Sequence, residues 1–285
     1  MSGTGTAPGR AAGPSAPVGH ARDPQLLTLA VIALAAGAWG VLAVAHPMGH
    51  SLGEAAATAP SVPPPGHGHT TGGGAPPAVL VHGALAVGGW AVMVVAMMLP
   101  PALPLLQTVR RLVSHRPDPW RLTILSAMTF VGVWTTVGAV LVAGDLGVRA
   151  LWAGQGWADA RTGTVAGVVL VAAGVYQFTP LKDLCLRGCR SPRSFALAHW
   201  QGRRSSGAEI VSLSGAYAAS CVGCCWALML VCFAVGVAAL PVMVVLAVLM
   251  AAERLVPWGR LLVRPAGLVL VLLGAALVLQ LLPPS

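Results

Sequence analysis

Apolar residues in this chain come in long runs separated by short polar stretches, and the runs set the predicted elements. Leu26–Ala45, Ala78–Leu99, Leu122–Gly144, Gly163–Thr179 and Pro265–Leu282 each lie near the roughly 20 residues a helix needs to cross a bilayer core. A further run, Gly215–Glu253, is too long for one crossing. Glycine and proline at Gly236–Pro241 mark where a tight helical hairpin divides it into Gly215–Val235 and Leu240–Glu253. The pattern predicts an all-α polytopic transmembrane helix bundle of about seven spans.

The polar stretches divide the chain further. Residues 1–25 are rich in Gly, Pro, Ala and Ser without apolar period, and read as a disordered cytoplasmic tail. Residues 26–45 form the first transmembrane helix, 46–77 a His/Pro/Gly-rich extracytoplasmic loop, and 78–282 a transmembrane metal-binding domain. Ala43-Val44-Ala45 resembles a cleavage site, but the apolar run before it exceeds a signal sequence's core, so an uncleaved anchor is expected. Cleavage there would leave His46 at the terminus, as an amine-plus-imidazole ligand. Pro100, Pro101 and Pro104 are expected to bend or end the second span at the cytoplasmic surface.

Hydrophobic residues make up 56% of the 285 and charged residues 9%, far from the balance of a soluble domain. The formal charge of +9 would suit nucleic acid, but its placement argues for topology instead. With the N-terminus cytoplasmic and seven spans, all Lys and Arg fall in inner segments except Arg149 and Arg161. A lipid bilayer is therefore the expected partner and nucleic acid is not. An Ala, Val, Gly and Arg bias suggests a bacterial cytoplasmic (inner) membrane.

Sulfur brings chemistry into this apolar background. Within the run at Gly215–Glu253 stand Cys221, Cys224, Cys225, Met229 and Cys232. At about 100° per residue, Cys221, Cys225 and Cys232 fall within roughly 40° of one another, with Met229 and Cys224 to either side. Cys232 lies some 16 Å of helix rise beyond Cys221, too far to share an ion with it. In the second span His82, Met93 and Met97 share a stripe about 60° wide. Cys185 and Cys189, spaced i and i+4, sit beside Lys182, Arg187 and Arg190, whose charge is expected to favour thiolate. His46, Met48, His50, His67 and His69 give the outer loop imidazoles and a thioether. Thiolate and thioether ligands select copper(I) first and zinc second over hard cations. The competing reading is packing, since Cys and Met both fill membrane interiors.

Three blocks together carry a resemblance: Trp90-x-x-Met93-x-x-x-Met97-Met98-Leu99-Pro100; Tyr176-Gln177-x-x-Pro180-Leu181-Lys182-x-x-Cys185-Leu186-x-x-Cys189-Arg190-x-Pro192; and Cys221-Val222-Gly223-Cys224-Cys225-Trp226-Ala227-Leu228-Met229. They resemble the bacterial family of predicted metal-binding integral membrane proteins, domain of unknown function 2182. That resemblance implies metal binding, with copper handling the usual suggestion. The leading expectation is a protein that binds copper(I) for transport or delivery, with a copper chaperone or membrane metalloenzyme as partner. A membrane thiol-redox protein using Cys221 and Cys224 is the second expectation, and a non-catalytic assembly scaffold the third. The flanks of Cys221 and Cys224 supply no cation to activate a thiol, and no hydrolytic arrangement is present, which leans against enzyme activity without deciding it.

Overall fold

The computed structural model describes residues 23–58, 76–152, 162–200, 202, 205–235 and 240–281. Among them are nine helices and no strand: α1 (Asp23–Thr58), α2 (Pro76–Leu112), α3 (Pro119–Trp152), α4 (Thr162–Tyr176), α5 (Pro180–Arg190), α6 (Pro192–His199), α7 (Ser206–Val235), α8 (Leu240–Leu255) and α9 (Arg260–Leu281). Five segments, within α1, α2, α3, α7 and α9, are long and apolar enough to cross a membrane. They become six if α4 and α5, bent by 69° at their junction, count as one broken span. The molecule is a helical bundle of the expected class. The expected seventh crossing corresponds to α8, whose 16 residues are short for a full span.

The long run is carried by two helices, α7 to Val235 and α8 from Leu240, with Pro241 in the first turn of α8; residues 236–239 lie outside the described residues. The prolines of α2, expected to bend or end the span, do not end it. Pro100, Pro101 and Pro104 lie inside a helix that continues to Leu112, with the Thr108 hydroxyl returning a 2.7 Å bond to the Pro104 carbonyl. Close neighbours make this tolerable, because α2 packs against α1, α3, α6 and α8. The α1 backbone runs on through His46, Met48 and His50 to Thr58, but their side chains lie outside the described residues. His67 and His69 and residues 1–22 lie outside them altogether, as does the side chain of His82.

Helix α3 shows how polar residues are absorbed. Thr129, Thr135 and Thr136 bond back to carbonyls one turn earlier, and Ser126 meets Ser214 of α7 at 2.8 Å. Around these contacts one continuous core joins α2, α3, α5, α7 and α8 and holds every buried thiol.

Candidate metal centre

The centre begins with a helix start written in the sequence. Thr179 caps α5, its hydroxyl accepting from the Lys182 amide at 3.3 Å, and Pro180 occupies the first turn where no N–H is needed. Eleven residues are enough to carry Cys185 and Cys189 along one side of α5, against α7. Gly223 permits the approach, because a side chain there would run into Sγ and Cβ of Cys185. The Tyr217 hydroxyl of α7 donates to the Cys189 carbonyl at 2.8 Å and fixes the end of α5.

This docking brings together three thiols from two helices. The Sγ atoms of Cys189, Cys221 and Cys224 lie within 4.8 Å of one another, and all three residues are buried. Cys224 Sγ is 3.5 Å from Cys189 Sγ and 3.2 Å from Cys225 Sγ, so a fourth sulfur adjoins the group. Metal–sulfur bonds of about 2.3 Å place ligand sulfurs roughly 4 Å apart, so the cluster has the spacing of a thiolate-bound soft ion.

The remaining expected ligands are placed as follows. Met229, one helical turn past Cys225, is fully buried, and Met93 and Met97 of α2 are buried in the same core. Cys185 does not join Cys189: it stays half-buried against Gly223, outside the three-thiol group. Cys189 of the i, i+4 pair groups with two thiols of α7, a group that does not include Cys185. Cys232 is buried further along α7, away from the cluster.

The charges expected to act on the thiols are engaged elsewhere. Lys182 Nζ bonds Glu253 Oε2 at 2.7 Å, with both side chains 1% exposed. Arg190 donates to the carbonyls of Glu253, Val256 and Pro257, satisfying the end of α8. Arg187 pairs with Asp183 at the surface. The cation beside the cluster is instead Arg254, 3% exposed, which interacts electrostatically with Cys221, Cys189, Tyr217 and Cys224. Its Nη1 lies 3.8 Å from Sδ of Met98. The flanks of Cys221 and Cys224 supply no cation in sequence, and Arg254 comes to them from α8. Sequence reasoning missed Arg254 because it comes from a different helix. The available signal was a Glu-Arg pair closing an apolar run too short to place both residues beyond a membrane.

A family model described as PpoB2, a copper chaperone, matches residues 87–277. The match takes in every cysteine, α2 from its fourth turn onward, and α8, which supplies Arg254. No curated protein and no solved structure matches the chain. The metal-handling character that the resemblance implied is therefore supported under this description, and since the match spans more than half of the sequence, the chain belongs to the PpoB2 family of copper chaperones.

Proposed function

We propose that the chain takes up copper(I) at Cys189, Cys221 and Cys224, at one end of a membrane-embedded helical bundle, and holds it for delivery to a membrane metalloenzyme or a second copper chaperone. The observation carrying this reading is the convergence of three buried thiols from α5 and α7 within 4.8 Å, in a chain of a copper chaperone family. Thiolates favour monovalent copper, and a buried apolar surround keeps water and harder ligands away from it.

Cys225, 3.2 Å from Cys224, together with the buried thioethers of Met229, Met93 and Met97, supplies similar ligands beyond the first three. Ligands of like strength let an ion leave as readily as it enters, which delivery requires and permanent storage does not. The basic residues at the Cys189 end of the bundle, Arg110, Arg111, Arg187, Arg190 and Arg193 among them, support placing the centre at the cytoplasmic face of a bacterial inner membrane.

The test is metal analysis of the purified full chain after copper(I) loading, beside variants with Cys221→Ser and Cys224→Ser. A single copper ion per chain in the wild type, lost in both variants, is the expected result; zinc taken up in its place would change the cargo. A chain that instead forms a Cys189–Cys224 disulfide and takes up no metal when reduced would replace metal delivery by thiol exchange, for which the 3.5 Å Sγ separation gives the geometry.

A further inference from the structure

At the end of the bundle that carries the basic residues, two hollows share one wall. The first, of about 310 Å³, opens between the last turns of α2 and the corner where α5 meets α6. Arg111, Arg190, Arg193 and Ser194 line it, so its wall holds three guanidinium groups and no carboxylate. Arg190 is fixed by the carbonyls of Val256 and Pro257, neutral partners that leave its charge uncompensated. Among the described residues Arg111 and Arg193 have neither an ion pair nor a hydrogen bond. Cations held around one hollow repel one another unless something negative lies between them. A carboxylate, with one charge, answers one of the three. A phosphate offers several oxygens, each able to take the N–H fork of an arginine. The start of α6 adds to this: Pro192 has no N–H, and the Ser191 hydroxyl bonds back to the Arg187 carbonyl at 3.0 Å, so no side chain caps the amides that follow.

The second hollow, of about 440 Å³, lies between the start of α1 and α2, and Gln107 belongs to both. Its polar groups are turned on one another. Gln107 Nε2 donates to the Thr28 hydroxyl at 3.1 Å, and that hydroxyl donates to the Pro24 carbonyl at 2.8 Å. The surface left open is mostly apolar, with Leu29 exposed on it. A cationic hollow beside an apolar one, on a membrane bundle, has the outline of a phospholipid. We infer that the two hollows form one site for an anionic glycerophospholipid, its phosphate among Arg111, Arg190 and Arg193 and the first part of an acyl chain against Pro24 and Leu29. Basic pockets between spans at the membrane surface suit such head groups, whereas the ammonium of a zwitterionic lipid would enter a wall of cations. The lipid joins α1, α2 and the α5–α6 corner, and the site stands apart from the metal-binding reading.

The experiment is native mass spectrometry of the delipidated full-length chain in detergent, titrated with phosphatidylglycerol or phosphatidylethanolamine, with glycerol phosphate as competitor. Phosphatidylglycerol is expected to bind at least about tenfold more tightly than phosphatidylethanolamine. Glycerol phosphate, which has the charge without the chain, is expected not to displace it at equal concentration. Arg111→Gln with Arg193→Gln is expected to weaken phosphatidylglycerol binding by about 30-fold, the strength of two arginines at an anionic surface. Both side chains are exposed, so this variant keeps its fold. Arg116→Gln with Arg264→Gln removes the same charge outside the hollows and is expected to weaken binding by less than about threefold. Equal losses in the two double variants would reveal a diffuse basic surface and overturn the inference, as would equal affinity for the two lipids. Glycerol phosphate bound as tightly as the lipid would make a soluble phosphate ester the ligand and overturn the lipid assignment.

Discussion

Helices come close in two places in this bundle, by opposite means. Where α4 lies along α9, Gly167 and Gly174 face Gly274 and Gly267, and backbone meets backbone. A Cβ on Gly174 would stand 2.7 Å from the Gly267 carbonyl oxygen, and one on Gly167 would stand 3.0 Å from that of Gly274. The other faces of this pair carry exposed valine and leucine, such as Val168, Val175, Leu268 and Leu272, as a lipid-facing surface does. Where α5 meets α8 beneath α7, the contact is made by Lys182, Glu253, Arg190 and Arg254, groups whose burial in an apolar interior is expensive. Small residues are enough to hold membrane helices together. The buried charges of the second contact need partners, as Lys182 and Glu253 show, which the glycine contact does without.

The largest effect is expected from breaking one partner of the charged contact. Lys182→Met leaves Glu253 buried and unpaired, at a cost of about 3–5 kcal/mol. The double variant Lys182→Met with Glu253→Met is expected to recover most of that loss, since a packed apolar pair replaces the ion pair. Thermal unfolding in detergent checks both. Equal stability of the single and double variants would show that the pair's charges do not matter to each other. On the glycine side, Gly174→Leu forces α4 off α9 and is expected to cost about 1–3 kcal/mol or more, as overpacking does. Copper bound per folded chain should stay near wild type, because no thiol lies on either helix. Loss of copper in G174L at full folding would join two regions that the comparison keeps apart.

The two regions differ as much in how far the sequence discloses them. Charge-free runs placed the helices, because length in a bilayer is a property of the local chain: the run from Gly215 to Glu253 is held by two helices, α7 and α8, and Thr179-Pro180 opens α5. The centre depends on where helices meet. On a helical wheel Cys224 stands aside from Cys221, Cys225 and Cys232, yet it is central in the cluster, because α5 docks on that side across Gly223. Spacing alone also made Cys185 and Cys189 equal partners, and only the docking separates them. Glu253 and Lys182 are 71 residues apart, and nothing local marks them as a pair. Arg254 was legible as a positive charge flanking a span, a topology signal, whereas its burial beside Met98 is a tertiary fact.

The finest test uses one substitution at two places on one helix. Cys225 and Cys232 are both buried on α7, and in both a serine hydroxyl can bond back to the carbonyl one turn earlier, so folding should survive alike. Their neighbours differ, since Cys225 has the Cys224 sulfur at 3.2 Å and Cys232 stands outside the cluster. Cys225→Ser is expected to weaken copper(I) binding by about tenfold, equivalent to about 1.4 kcal/mol, by removing a soft ligand beside the first three. Cys232→Ser is expected to change it by less than about twofold, or about 0.4 kcal/mol. Chelator competition on the two purified variants decides the matter. Equal losses would mean that sulfur anywhere along α7 holds the ion, and that the docking of α5 does not single out one place on that helix.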